Sequence, residues 1–239
     1  MKRTRWQGKR PFFHFHKLGY RRNPFGALTD EEWPEVAVLP REVEQILPHV
    51  IHLQILGPAG VGKSTILRRL AHQFSQANLR AVYEYLPEGQ HKFFTRLANL
   101  DIFLLDEAQR LSWWQRHLLL NTTTQDKFKD LRLILSSHKD LTSLFQRRHL
   151  PLVTVRLDRC VNAEYYERLI TRRLAYFALP GQERVMLGAD VWPFLWRTFG
   201  LNVREAIYFL YDVWQWQTAV SCLTATDLHQ YWQKYNSPD

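Results

Sequence analysis

The chain has 239 residues, 46% apolar and 14% aromatic, enough for one large domain or a core domain with a small satellite. Its net charge of +9 sits almost entirely in residues 1–22, which carry eight Lys or Arg and no acid, while the other 24 basic and 23 acidic residues nearly cancel. No apolar run reaches the roughly 18 residues of a membrane span, no apolar core follows the charged N-terminus as a secretory signal requires, and Cys160 and Cys222 have no metal-site spacing. A reduced, cytoplasmic protein without a membrane segment is therefore expected.

Residues 1–22 read as an arm. Trp6, Phe12, Phe13, Phe15 and Tyr20 interleave with Lys2, Arg3, Arg5, Lys9, Arg10, Lys17, Arg21 and Arg22. Cations suit phosphates and aromatic faces suit unstacked bases, so DNA is the partner this arm predicts. The same composition also fits a solvated tail, an arm packed on a neighbouring subunit, or an organelle transit peptide. Asn23-Pro24-Phe25-Gly26 marks a turn. Residues 27–40, with Pro34 and Pro40, read as an irregular linker, and Arg41–Leu47 as a short helix stopped by Pro48.

The centre of the chain is the stretch Gly57-Pro58-Ala59-Gly60-Val61-Gly62-Lys63-Ser64-Thr65, which matches the phosphate-binding pattern G-x-x-x-x-G-K-[ST]. The glycines allow a tight curl that points successive N–H groups inward. With the N-terminus of a following helix, those groups make an anion site. Lys63 is placed for the β- and γ-phosphates of ATP and Ser64 for Mg²⁺. An apolar run, Val50–Leu56, predicts a buried strand leading in, and Ile66–Phe74 a helix leading out.

Strands are then predicted over 80–85, 101–107, 131–137 and 152–157, with helices over 90–100 and 111–122 between them. Alternating strands and helices imply an α/β fold with a parallel sheet covered on both faces. Its ligands belong at the carboxyl ends of the strands. From Ala163 onward only helices are predicted: one ending before Pro180-Gly181, then 191–199, 203–219 and 227–235, with Thr224 and Asp227 as a capping signal for the last.

The third strand ends in Asp106-Glu107. Asp106, expected on the strand beside the phosphate loop, can hold Mg²⁺, and Glu107 can polarise the water that attacks the γ-phosphate. The fourth strand ends in Ser136-Ser137-His138.

The phosphate loop, Asp-Glu strand end, polar fourth strand end and helical C-terminal region together resemble an AAA+ ATPase. Asn-Pro-Phe ahead of the core and Asp106-Glu-Ala-Gln-Arg-Leu111 resemble the branch of origin-recognition initiators and TnsC- and ExeA-type ATPases. The resemblance covers residues 23 to about 235. It implies a P-loop (AAA+) domain with a five-stranded parallel sheet at 23–160 and a small all-helical lid at 161–239, after the 1–22 arm. It also implies a polar sensor among Ser136, Ser137 and His138, with His138 standing where the family most often has Asn. It implies an arginine finger acting on a neighbouring subunit, Arg148 or Arg147, and a lid sensor, Arg204, in Gly200-Leu-Asn-Val-Arg204. Trp113 and Trp114 are adjacent and cannot share a helix face, so one is expected in the core and the other exposed to DNA or a partner. The tryptophans after residue 190 read as lid packing.

Two readings of function follow. One is an ATP-dependent, self-assembling ATPase that acts as a DNA-associated switch or loader, in transposition, recombination or replication. The other is a protein-remodelling or signalling ATPase whose arm binds a protein partner; a pore loop containing Phe93 and Phe94 would favour it. A small-molecule kinase would not need Asp-Glu together with G-x-N-x-R.

Overall fold

The computed structural model describes residues 12–125 and 130–236. In chain order its helices are α1 (Phe12–His16), α2 (Glu32–Val36), α3 (Arg41–Ile46), α4 (Lys63–Gln76), α5 (Trp113–Thr123), α6 (Thr142–Gln146), α7 (Leu157–Cys160), α8 (Ala163–Phe177), α9 (Val191–Phe199), α10 (Val203–Trp216) and α11 (Ala225–Asn236). Its strands are β1 (His52–Leu56), β2 (Ala81–Tyr85), β3 (Ile102–Asp106), β4 (Arg132–Ser137), β5 (Leu152–Arg156), β6 (Met186–Leu187) and β7 (Cys222–Leu223). The described residues divide into two compact units, 30–161 and 12–29 together with 162–236.

Residues 30–161 form the α/β unit. Its five strands lie in the order β2-β3-β4-β1-β5, all parallel. The three inner strands, β1, β3 and β4, are mostly apolar and, except for Arg132, buried, as strands covered on both faces tend to be. Side-chain alternation sends Phe103, Leu105, Leu133 and Leu135 into one cluster with Leu119 and Leu120 of α5 and Phe145 of α6. α4 packs against β2, β3 and β4 and buries Ile66, Leu67, Leu70 and Phe74.

Two secondary-structure expectations fail in this unit. Residues 90–100 are not a helix. The Glu84 carboxylate takes the N–H groups of Phe94 and Thr95 at 2.8 and 2.9 Å, competing with the helical hydrogen bonds those amides would otherwise make. Asn99 is left-handed, φ 65°, which also stops a helix. Within the expected linker, α2 forms instead and packs on α4.

The second unit is helical, apart from the short parallel pair of β6 with β7, so the expectation of an all-helical region holds except there. α8 is capped by Asn162, whose Oδ1 accepts from Tyr165 N at 2.9 Å, and α10 by Asn202 in the same way at 3.2 Å. Asp227 Oδ2 accepts from Thr224 N at 2.8 Å, the reciprocal capping arrangement at α11. Trp214 is fully buried, and Trp216 stacks on Tyr231 with ring centroids 5.4 Å apart.

This unit also contains what the sequence reading treated as the end of a separate arm. Phe15, Leu18 and Tyr20 are buried, and Tyr20 bridges Ala178. Val185 N donates to Leu18 O at 3.1 Å, and Leu179 N to Gly19 O at 2.9 Å. Gly19 has φ +83°, and a Cβ there would lie 2.3 Å from Glu183 O, so only glycine fits. Arg173 donates to the carbonyls of Pro24 and Gly26, and Phe25 meets Trp214 edge-on at 4.8 Å. The guanidinium of Arg22 lies 4.5 Å from the centre of the Phe177 ring. From His14 on, the supposed arm is part of the helical unit, because its apolar residues are buried there. The cations at 2–10 and Trp6 lie outside the described residues.

One buried residue makes stability depend on pH. His52 at the start of β1 accepts the Leu133 N–H on Nδ1 at 3.1 Å. Burial first, and Arg132 second, push its pKa from 6.5 down to about 4. The unfolded chain therefore takes up this proton first as pH falls, and stability drops between pH 6.5 and 4. The expected loss through His52 is about 3 kcal/mol by pH 4. Melting curves from pH 7 to 4 check it: His52→Asn, which keeps an acceptor and cannot protonate, should flatten that part of the profile.

Candidate functional site

Parallel register brings the carboxyl ends of β1, β4 and β3 side by side, with β4 in the middle. Asp106 is thus on the strand after next from the phosphate loop, not on its neighbour as the sequence reading had it. The Leu56–Ser137 and Leu105–Leu135 pairs set the levels of the three ends. Residues 57–63, 106–107 and 136–138 meet there.

The loop leaves β1 with Gly57 N donating to Ser137 O at 3.2 Å. Gly60 and Gly62 are left-handed, φ 82° and 104°, which lets the chain curl into α4. Pro58 and Ala59 are exposed at the loop tip, and Val61 is buried beneath it. Lys63, the first residue of α4, is buried, and its Nζ donates to Gly57 O and Pro58 O at 2.9 Å each. Ser64 and Thr65 follow in the first turn, half-buried.

Asp106 is fully buried. It accepts from neutral donors: Tyr83 Oη at 2.9 Å, Glu107 N at 3.1 Å and the Ser136 hydroxyl. Burial and the facing Asp106 carboxylate push the Tyr83 phenol pKa up, so the phenol stays a donor. Glu107 is left-handed, φ 62° and ψ 39°, an uncommon conformation for a residue with a Cβ. Its N–H is held by Ser136 Oγ at 3.0 Å as well as by Asp106.

The Glu107 carboxylate is gripped on both oxygens. Gln109 Nε2 donates to Oε2 at 2.6 Å, with Arg110 at 3.5 Å, and His138 Nε2 lies 3.2 Å from Oε1. The His138 ring is also 3.3 Å from Lys63 Nζ. His138 therefore stands between the loop lysine and the Glu107 carboxylate. Gln109 completes the ring of contacts, its Oε1 accepting His138 N at 3.3 Å.

Ser137 does not join this group: its hydroxyl donates to Lys139 O at 2.6 Å and accepts Lys139 N at 2.9 Å. Alternation along β4 sends neighbouring side chains to opposite faces, so Ser136 reaches Asp106 while Ser137 closes the following turn. Arg147 is exposed just after α6. Arg148 is half-buried, tied within its own chain to Asn121 Oδ1 and, at 2.5 Å, to His117 Nδ1. Arg204 lies exposed in the first turn of α10, in the helical unit. Trp113 and Trp114 are both exposed, 58% and 74%, which corrects the expectation that one is in the core. They open α5 ahead of its buried residues, Leu119, Leu120 and Thr123.

The sequence reading missed Gln109 and Tyr83 and left Ser136 undecided. The Gln two residues after the Asp-Glu pair was visible, but nothing in its spacing says that it folds back onto Glu107. Tyr83 needed the β2–β3 register to be known.

Neither a protein-family model nor a curated protein sequence matches the chain. Solved structures do. Domain III of the replication initiation protein DnaA from Thermotoga maritima has a TM-score of 0.57 at 15% identity, covering 89% of this chain and 100% of that one. Cdc6p from Pyrobaculum aerophilum has a TM-score of 0.56 at 16% identity, covering 80% of this chain. The match spans 64% of the Cdc6p chain, under two thirds of it. The Holliday junction branch migration motor RuvB from Thermotoga maritima has a TM-score of 0.53 at 12% identity, covering 86% of this chain and 68% of that one. At these identities the likeness is one of fold.

The Ser136 hydroxyl carries a direct test. Ser136→Ala leaves a buried carboxylate and a buried N–H each short of a partner, which costs about 1–3 kcal/mol. A lowered melting temperature, with Ser137→Ala closer to wild type, is the expected result of paired thermal melts. Equal behaviour of the two variants would remove Ser136 from its place as the pin of this site.

Proposed function

We propose that this chain, which has the AAA+ P-loop ATPase fold, is an ATP-dependent, self-assembling ATPase that acts as a DNA-associated switch or loader, in transposition, recombination or replication. One observation carries the reading: Lys63, His138 and Glu107 stand in a row at the carboxyl ends of the parallel strands, at 3.3 and 3.2 Å spacing. In a P-loop fold, that row is where a terminal phosphate and its attacking water are handled.

The roles follow from the chemistry. Residues Gly57 to Thr65 and the start of α4 cradle the phosphates, and Lys63 exchanges the carbonyls of Gly57 and Pro58 for phosphate oxygens. Among the described residues no cluster of three or more His, Cys, Asp or Glu could hold a metal ion unaided. Mg²⁺ would therefore be held by Ser64 and Asp106 together with the nucleotide; Asp106, buried among neutral donors, fits a cation neighbour. Bound there, the ion would offset charge on the phosphates. Glu107 polarises the water. His138 is the better sensor candidate than Ser137, since its ring touches both Lys63 and Glu107. Arg148, or the exposed Arg147, serves as the finger reaching a neighbouring copy, and Arg204 as the sensor contributed by the helical unit.

DNA association is supported by the five cations at 2–10, Lys2, Arg3, Arg5, Lys9 and Arg10, and by likeness in fold to a replication initiation protein and a branch migration motor. The alternative, a protein-remodelling ATPase with a protein partner at the N-terminus, is favoured by Phe94, which is 66% exposed in the 86–100 stretch. Phe93 cannot serve it, since it packs on Phe103. No helix among the described residues is long and apolar enough to cross a membrane.

Light scattering during gel filtration of Glu107→Gln tests the reading. This variant should bind ATP, hydrolyse it about 10²–10⁴-fold more slowly, and persist as an assembly when ATP, Mg²⁺ and DNA are all present. Assembly indifferent to DNA would favour the protein-remodelling alternative, and unchanged turnover would move the base away from Glu107. A second measurement addresses the N-terminus: replacing Lys2, Arg3, Arg5, Lys9 and Arg10 with Ala spares the packed residues from His14 on. If all five contact phosphates, the slope of log affinity against log salt on duplex DNA should become shallower by about 4–5. An unchanged slope would argue for a protein-docking arm.

A further inference from the structure

We propose that the exposed aromatic end of α5 is a stacking platform for single-stranded nucleic acid, separate from the N-terminal cations. The inference rests on the DNA-associated reading and adds to it the form of nucleic acid and the residues that meet it.

Trp113 and Trp114 are exposed side by side with ring centroids 4.5 Å apart, edge to face. The Trp113 ring lies 4.1 Å from the His117 ring, and His117 in turn accepts a hydrogen bond from Arg148. An aromatic pair thus leads directly to a guanidinium. A second pair sits at the same end of the helix. Ser112 N donates to His91 O at 2.9 Å, which fixes the 91–94 stretch against the start of α5. There Phe94 is exposed, with the Lys92 ammonium 4.9 Å from its ring centre.

Charge selects the occupant. α5 contains no acid, nor does the segment 141–150 that carries Arg147 and Arg148. The carboxylate of Glu84, which touches the 91–94 stretch, is taken up by the amides of Phe94 and Thr95. Open π-faces beside cations, with no acid in either helical segment, match a ligand with flat apolar rings on an anionic backbone. In a duplex the base faces are stacked on one another, so the ligand is a single strand or an unpaired stretch. Trp114 and the exposed Leu118 are i,i+4 neighbours on α5, but His117, bonded to Arg148, makes the adjoining Trp113 side polar and cationic, where a protein partner would call for continuous apolar surface.

Fluorescence anisotropy of the full chain tests this, with a labelled oligo-dT of roughly 20 nucleotides and a duplex of equal length. Trp113→Ala with Trp114→Ala should weaken single-strand binding about tenfold or more, within the range for losing one stacked base. Duplex affinity should stay near wild type. Phe at both positions should restore single-strand binding, and oligo-dT should quench wild-type tryptophan fluorescence more than that of the Ala variant. Phe94→Ala, further along the same surface, should weaken the single strand alone and serves if the double variant folds poorly. Unchanged single-strand affinity in the Ala variants overturns the platform, and leaves the DNA reading intact if the N-terminal substitutions still weaken duplex binding. Unchanged single-strand affinity with lost ATP-dependent assembly also overturns it, because the face would then seat a second copy. A wild-type chain that binds neither oligonucleotide overturns the platform and the DNA reading together.

Discussion

The α/β unit depends on one buried arrangement, the Ser136 hydroxyl between Asp106 and the backbone of Glu107. A carboxylate without exposure at the end of an apolar strand is expensive unless its oxygens are satisfied. Tyr83 from β2, Ser136 from β4 and the adjacent backbone satisfy it here. The arrangement also anchors the left-handed Glu107, turning its carboxylate out of the strand toward His138. Parallel register puts all of this at one edge of the sheet. A one-residue slip of β4 would send Ser137 to Asp106 and move His138 off Lys63.

The helical unit obeys a different constraint. Its helices leave Trp214 and Phe177 facing a gap that their own sequence does not fill, and residues 15–25 fill it. Gly19 can have no side chain because the chain passes against Glu183 and Arg184. The N-terminal basic run therefore does two kinds of work. Arg21 and Arg22 sit over the Tyr176 and Phe177 rings, whereas the cations at 2–10 precede this packed segment.

How much of this was legible in the sequence varies with the range of the forces involved. The five strands and the phosphate loop were readable, because apolar runs and glycine spacing are local signals. The helix expected at 90–100 was not there, because a side chain outside the segment, Glu84, captures two of its amides. The arm boundary was misplaced because charge outweighs burial in a composition count, and the burial of Phe15, Leu18 and Tyr20 is a long-range fact. At the site, Lys63, Asp106, Glu107 and His138 were singled out by residue type and position. Ser136 could not be separated from Ser137 until the face each occupies was known, nor Gln109 recognised before the turn after β3 was seen to fold it back.

Arg148 links the two surfaces of this unit. Its guanidinium is not projecting free: Asn121 and His117 of α5 hold it, and the His117 ring lies tilted against Trp113. A finger acting on a neighbouring copy must either be presented by α5 in this pose or give up those contacts to reach a phosphate. The first option requires α5 to be at the edge of a subunit contact. The second requires the His117–Arg148 bond to break, and then His117 is free to reorient against Trp113. If Arg148 is the finger proposed above, then in the second case whatever binds the Trp113–Trp114 end of α5 would be coupled through His117 to the orientation of Arg148. A strand stacked on those rings and a nucleotide at the neighbouring copy would then each favour particular poses of one side-chain chain, and by linkage each would change the affinity of the other by the same factor. That reciprocity is the physical basis on which nucleic acid could promote ATP-dependent assembly with no contact to the phosphate loop itself.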